Sequence, residues 1–117
     1  MEENEKVLIG NAKRFLGSAK LVYKTNDFTS ATILYFKALF SILDLVILKD
    51  TGNIPKDHSE RFRILESSYT DLYNTLDRIY LEYRNTYTSI INKETCDKVR
   101  ENVERIAKEQ KISEDNQ

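Results

Sequence analysis

Residues 82–89 read EYRNTYTS and set an arginine and an amide, Arg84 and Asn85, among tyrosines. A guanidinium can grip a phosphate or carboxylate with two parallel N–H donors and can stabilise developing negative charge. It stays protonated at any working pH, so it cannot serve as a base. The one histidine, His58, is the side chain whose ordinary pKa near 6.5 suits proton transfer at neutral pH. Tyr73, Tyr80 and Tyr87 recur every seven residues around Arg84. Each joins a large apolar body to a polar tip, a type favoured on half-buried surfaces, so they could finish a core or line a dimer or ligand surface. At roughly 100° of helical rotation per residue, Arg84 falls within about 60° of Tyr73, Tyr80, Tyr87 and Asp77. Two roles stay open for it. It could cover aromatic faces with its head on Asp77, or it could contact an anion in a cleft.

The composition narrows the classes. A chain of 117 residues holds one core, and 40% apolar with 32% charged residues is the balance of a folded domain. Its 18 basic and 19 acidic residues leave a net charge of −1 without a basic stripe, so no broad electrostatic footprint for nucleic acid is visible. The single cysteine, Cys96, excludes an internal disulfide and fits a reducing cytoplasm. No histidine or basic cluster near it in sequence would activate it, and it reads as a small core residue. One histidine and one cysteine cannot supply a zinc site, and no carboxylate pattern matches a di-metal bundle. No metal or other cofactor is expected. The acidic opening MEENEK lacks the hydrophobic stretch of a targeting peptide. Residues 28–48 are apolar enough to mimic a membrane span, but Lys37 and Asp44 lie inside it. Each would cost roughly 2.5–3.5 kcal/mol near a bilayer centre, so a central helix of a soluble bundle is expected instead.

Those residues must be positioned by helices, because apolar positions repeat at three- and four-residue spacing in every long segment. A first helix over 4–24 presents Val7, Leu8, Ala12, Phe15, Leu16, Ala19, Val22 and Tyr23. Asn26 or Asp27 can cap a second, over about 27–49, which is apolar nearly all round. Its polar exceptions Lys37, Ser41 and Asp44 share one face, to form ion pairs or reach solvent, with a polar cleft as the other possibility. Gly52 stops it and Pro55 shapes the connection. Asp57 and Glu60 have the spacing of a capping box before a short third helix over about 58–66. Ser68 with Asp71 is a further cap candidate. A fourth seam then runs through Tyr69, Leu72, Leu76, Ile79, Tyr83 and Ile90. Asn92 can cap a fifth helix over about 93–110, with Cys96, Val99, Val103 and Ile106 inward. The expected fold is all-α, an antiparallel up-down four-helix bundle with an additional short helix. It would form one domain over 1–110, followed by a polar tail over 111–117.

Residues 19–65, AKLVYKTNDFTSATILYFKALFSILDLVILKDTGNIPKDHSERFRIL, resemble the HEPN superfamily of small helical domains. The resemblance is carried by Ala31, Tyr35, Phe36 and Ala38 in the second helix, Gly52 in the loop, and His58 opening the third. Arg84 near Tyr87 in the fourth helix completes it. It implies an up-down bundle, commonly a homodimer. Many members are metal-independent ribonucleases, often toxins paired with a nucleotidyltransferase antitoxin, whose site is an arginine and a histidine with four to six residues between them. Others lack the pair and serve as binding or accessory domains.

Arg84-Asn85 matches the start of that motif, but the histidine's place is taken by Ser89, Ile90 and Ile91, and a serine hydroxyl is no substitute for imidazole. His58 would have to approach Arg84 across the fold or a dimer. As a structural residue it would be hydrogen-bonded within its loop. The expectation is therefore a non-catalytic HEPN-like binding domain without a membrane association, with Arg84, Asn85, Tyr80, Tyr87 and His58 as ligand-binding residues. The ligand would be a nucleotide, RNA or a nucleotidyltransferase partner. The alternatives are a ribonuclease toxin using Arg84, with His58 as a possible base, and a purely structural dimerisation module.

Overall fold

A computed structural model describes residues 2–112. They form five helices, α1 (Glu3–Tyr23), α2 (Phe28–Thr51), α3 (His58–Ser68), α4 (Thr70–Asn85) and α5 (Lys93–Glu109), with no strand among the described residues. The fold is thus an all-α helical bundle, as the spacing predicts.

α2 is the centre. It packs against all four other helices, and its apolar positions contribute more of the buried core than those of any other helix, from Tyr35 and Phe36 to Ile47 and Leu48. Its hydropathy is used inside the protein: 78% of its most apolar stretch is covered by neighbouring helices. α1 lies along α2 through Ala12, Leu16 and Ala19, whereas Val7, expected in the inward stripe, stays about half exposed at 47%. α5 closes another side with Cys96, Val99, Val103 and Ile106, all at most 1% exposed. The Tyr23 hydroxyl donates to Asp97, and Lys93 and Arg100 lie over the Tyr23 ring, which pins the end of α1 to α5.

Three caps match their sequence signals. Asp27 accepts from the Ser30 amide, Asn92 from the Thr95 amide, and Asp57 from the Glu60 amide. The Glu60 carboxylate reaches back to Lys56 rather than to the cap residue, so the capping box is offset by one position. Asn26 takes a left-handed conformation (φ 67°) in the turn between α1 and α2.

Other expectations fail at the ends of α4. Ser68 closes α3 instead of capping α4. The cap position is Tyr69, which provides no side-chain cap bond and whose hydroxyl donates to Asp50. That contact and burial push the Tyr69 phenol up to about 12, burial being the larger cause. The α4 seam also ends early. The helix stops at Asn85, a turn follows, and Ile90 is 94% exposed while Ile91 is buried. The Ile91 amide donates to Thr29 Oγ1 at 2.9 Å, which anchors the connection to the start of α2 and sets which isoleucine faces inward. Finally, Ile112, assigned from sequence to a polar tail, is only 6% exposed and belongs to the core cluster. Lys111 turns the chain towards it with φ 62°. The remaining tail residues, 113–117, lie outside the described residues.

Gly52 ends α2 with φ 82°, its amide donating to the Leu48 carbonyl, and a Cβ there would meet nothing within 4 Å. Gly52→Ala should therefore cost about 1 kcal/mol from backbone strain alone. Ile112→Ala should cost about 2 kcal/mol or more, as deletion of a buried aliphatic group does. Both are read from urea denaturation midpoints, and a neutral Ile112→Ala would return residue 112 to the tail.

Candidate functional site

Asp44 is the polar interruption that matters most in α2. Nearly all its neighbours along the helix are apolar, and it is 8% exposed, so its carboxylate needs a partner. α3 provides one. Arg61 Nε donates to Asp44 Oδ1 at 2.7 Å and Nη2 to Oδ2 at 2.9 Å, a two-point contact between buried groups. Lys37, on the same face of α2, stays exposed, and Ser41 is buried. The expected polar face of α2 is thus split between a buried ion pair and a solvent cation.

The remaining guanidinium nitrogen of Arg61, Nη1, lies 2.5 Å from His58 Nδ1, one turn earlier on α3. Arginine has only donors, so His58 Nδ1 must be the acceptor and the imidazole proton must sit on Nε2. His58 is therefore hydrogen-bonded, but to α3 rather than within its loop. Burial pushes its pKa below the ordinary value, and the charges of Arg61 and Lys37 act in the same direction. Asp44 and Asp57 oppose them and are outweighed.

Aromatic rings hold this arrangement in place. Arg61 sits 4.8 Å from the centroid of Phe40, and the His58 ring lies 4.7 Å from the same ring. Tyr80 and Tyr83 of α4 each stand 6.0 Å from His58, and Tyr80 also meets Phe62 edge-on at 4.8 Å. Tyr83 packs against Phe36 and Phe40 at 5.3 and 5.2 Å, with its hydroxyl 3.4 Å from that of Tyr87. Burial, followed by that tyrosine contact, pushes the Tyr83 phenol up to about 12, so it is protonated near neutral pH.

His58, Tyr80, Tyr83, Arg84 and Tyr87 line one open depression of about 510 Å³. Four of the five ligand-binding residues expected from sequence thus share a surface. Asn85 does not: it lies outside the lining, and its amide reaches Glu82 at 3.5 Å. Arg84 is exposed and makes no side-chain hydrogen bond or ion pair among the described residues, so the expected pairing with Asp77 is absent there. Tyr87 is 75% exposed and stands in the turn after α4, not on the helix. A smaller depression of about 220 Å³ adjoins it, lined by Ile33, Lys37, Tyr83, Thr86 and Tyr87. Cys96 is far from this chemistry by character: it is fully buried, and burial pushes its thiol pKa up.

Sequence reasoning missed Arg61, Phe40 and Tyr83. A usable signal existed for Arg61. A carboxylate inside a nearly all-apolar helix demands a cation, and Arg61 stands three residues after the only histidine on the next helix.

Comparison with family models, with curated proteins and with solved structures finds no match to this chain.

Chemically, the depression is a set of donors beside aromatic faces. Arg84 provides a free guanidinium, His58 a neutral Nε2–H and the tyrosines hydroxyls, and no carboxylate lines it. Asp44→Ala would leave Arg61 buried without its counter-ion and should cost about 3–5 kcal/mol in chemical denaturation. The depressed pKa of His58 also sets a pH dependence. The unfolded chain takes up a proton near its ordinary value of about 6.5, while the folded chain resists it. Stability is therefore complete above that value and falls as pH drops through about 6.5 towards the folded pKa. Urea titrations between pH 7.5 and 5.5 should show this slope in the wild type and lose it in His58→Asn.

Proposed function

We propose that the chain is a HEPN-like up-down four-helix bundle, with α3 as the additional short helix. It acts as a non-catalytic domain that binds the phosphate of a nucleotide or RNA at the Arg84 depression. The carrying observation is that Arg84 stands unpaired beside a His58 whose Nδ1 is already engaged by Arg61. A ribonuclease base needs a free lone pair to accept the 2′-OH proton. In His58 one nitrogen is occupied by the Arg61 donor and the other carries the proton, and Ser89 occupies the place of the family's histidine. What the site offers instead is anion holding: donors, a fixed cation and exposed Tyr87 as a face for a base to stack on. The net charge of −1 argues against long electrostatic tracking along a polymer and for a small, local contact. A homodimer, a nucleotidyltransferase partner and a cytoplasmic setting belong to the same HEPN-like reading. The nearly fully exposed Ile90 beside Tyr87 is apolar surface available to such a contact.

Isothermal titration with AMP and with a short single-stranded RNA tests this. Binding should weaken at least tenfold in Arg84→Ala, the loss of a charge-assisted bidentate contact, and RNA should remain intact. Absence of phosphate binding, or binding indifferent to Arg84, would overturn the reading. RNA cleavage abolished by Arg84→Ala would replace it with the nuclease.

A further inference from the structure

The depression that the preceding reading rests on has a chemical bias that narrows its ligand. We propose that it is selective for a dianionic terminal phosphate, that of a nucleoside monophosphate or of a strand end. The bias arises because Asp44 and Arg61 hold His58 as a fixed Nε2–H donor beside Arg84.

The charged and titratable groups around His58 come from every element packed against it. α2 contributes Lys37 and Asp44, the loop Asp57, α3 Arg61, and α4 Tyr80, Tyr83 and Arg84. Asp44 is consumed by Arg61 through two contacts, and Asp57 caps α3 through the Glu60 amide. Neither carboxylate lines the depression. The groups that line the depression are a guanidinium, an imidazole N–H and three phenol hydroxyls, all able to donate. A terminal phosphate presents three strong acceptor oxygens and nearly two charges at neutral pH, whereas an internal diester presents two oxygens and one charge. A pocket lined by a free arginine and no carboxylate gains more from the former. Tyr87, 75% exposed at the rim, is the face available to the attached base.

Asp44 and Arg61 act through His58 and are positioning residues. Asp44 orients the guanidinium, whose third nitrogen then fixes the imidazole tautomer. The consequence reverses the usual pH response of a histidine-containing anion site. An ordinary histidine would charge below about pH 6.5 and tighten anion binding as pH falls. Here burial and the Arg61 contact hold His58 neutral below the pH at which a free imidazole charges, and there affinity follows the second ionisation of the phosphate near 6, weakening as pH falls.

Because the chain has a single histidine, nitrogen-15 NMR of the wild-type protein reads its state directly, without any variant. At pH 7.5 the Nδ1 resonance should be that of an unprotonated nitrogen accepting a hydrogen bond, and the imidazole should charge only below its ordinary value of about 6.5. A proton on Nδ1 at pH 7.5, or charging at or above the ordinary value, would overturn the inference. In titrations, AMP and a 5′-phosphorylated RNA oligomer should bind at least tenfold more tightly than ApA and the same oligomer with a 5′-hydroxyl. AMP matching the phosphorylated strand identifies the free nucleotide as sufficient; a much tighter strand identifies the strand end. Equal affinity for ApA or the 5′-hydroxyl strand would overturn the selectivity while leaving an Arg84-dependent phosphate site standing. No binding by any of the four would remove that site as well. A phosphoserine peptide binding as tightly as AMP would overturn the nucleotide assignment. The double variant Asp44→Asn, Arg61→Gln removes the donor to Nδ1 and should leave a mixture of the two imidazole tautomers at pH 7.5 in the same nitrogen-15 spectrum. An unchanged Nδ1 resonance in the folded double variant would overturn the positioning role.

Discussion

The buried contact between Asp44 and Arg61 is the constraint from which the rest of the site follows. A carboxylate in the most apolar helix of a small bundle has to be neutralised or paired, and α2 carries no cation on that face except Lys37, which stays in solvent. Arg61 reaches it from α3, a helix of 11 residues that meets α2 over a short length only. Compared with a well-packed apolar pair, such a buried pair contributes little net stability, but loss of either partner leaves an uncompensated charge. Its effect is to fix where α3 sits. Once the guanidinium is held at two points, the direction of its third nitrogen is set, and His58 lies in that direction.

The aromatic packing around the pair explains how a polar triad is accommodated beside the core. Phe40 presents faces to both Arg61 and His58, so the cation is shielded from bulk water by a ring that also attracts it. Tyr83 and Tyr80 then connect that ring to the surface, and Tyr87 takes the sequence of rings out into solvent. The heptad of tyrosines therefore performs two tasks at once. Tyr73 and Tyr80 finish the core against Phe62, while Tyr87 faces out at the depression. Burial separates the three: Tyr73 and Tyr80 are half-buried on α4, whereas Tyr87, in the turn after it, is exposed.

Much of the fold was legible because helices announce themselves locally. The caps at Asp27, Asp57 and Asn92, the left-handed stop at Gly52 and the nearly all-apolar α2 each follow from a few neighbouring residues. The failures are all non-local. Nothing within EYRNTYTSII says that Thr29, on α2, will hold the Ile91 amide and so end the seam at Asn85. Nothing within KISEDNQ says that Ile112 has a core position to fill. Asp44 and Arg61 lie 17 residues apart on different helices, and only the three-dimensional fold joins them. Arg84, His58, Tyr80 and Tyr87 could be chosen as a set from residue types, but their relation could not. It depends on Tyr83, which the seam placed simply as another core residue, and on Arg61, whose partner Asp44 lies on another helix.

That relation also bears on the two chemistries the residues could perform. Arginine and histidine near each other are the elements of both a metal-free nuclease and an anion receptor. The difference lies in one lone pair. A base requires it vacant, and in this chain Arg61 occupies it because Asp44 leaves Arg61 nowhere else to point. The ion pair that makes the core tolerable to α2 thus disables His58 as a proton acceptor and, by the same hydrogen bond, leaves it a neutral donor. Burial and the neighbouring cations keep it so, since charging the imidazole would set a second N–H against the guanidinium. On the reading proposed above, a site assembled in this way would hold an anion through groups that do not change protonation when it arrives, and the structural requirement of α2 would become the specificity of the surface above it.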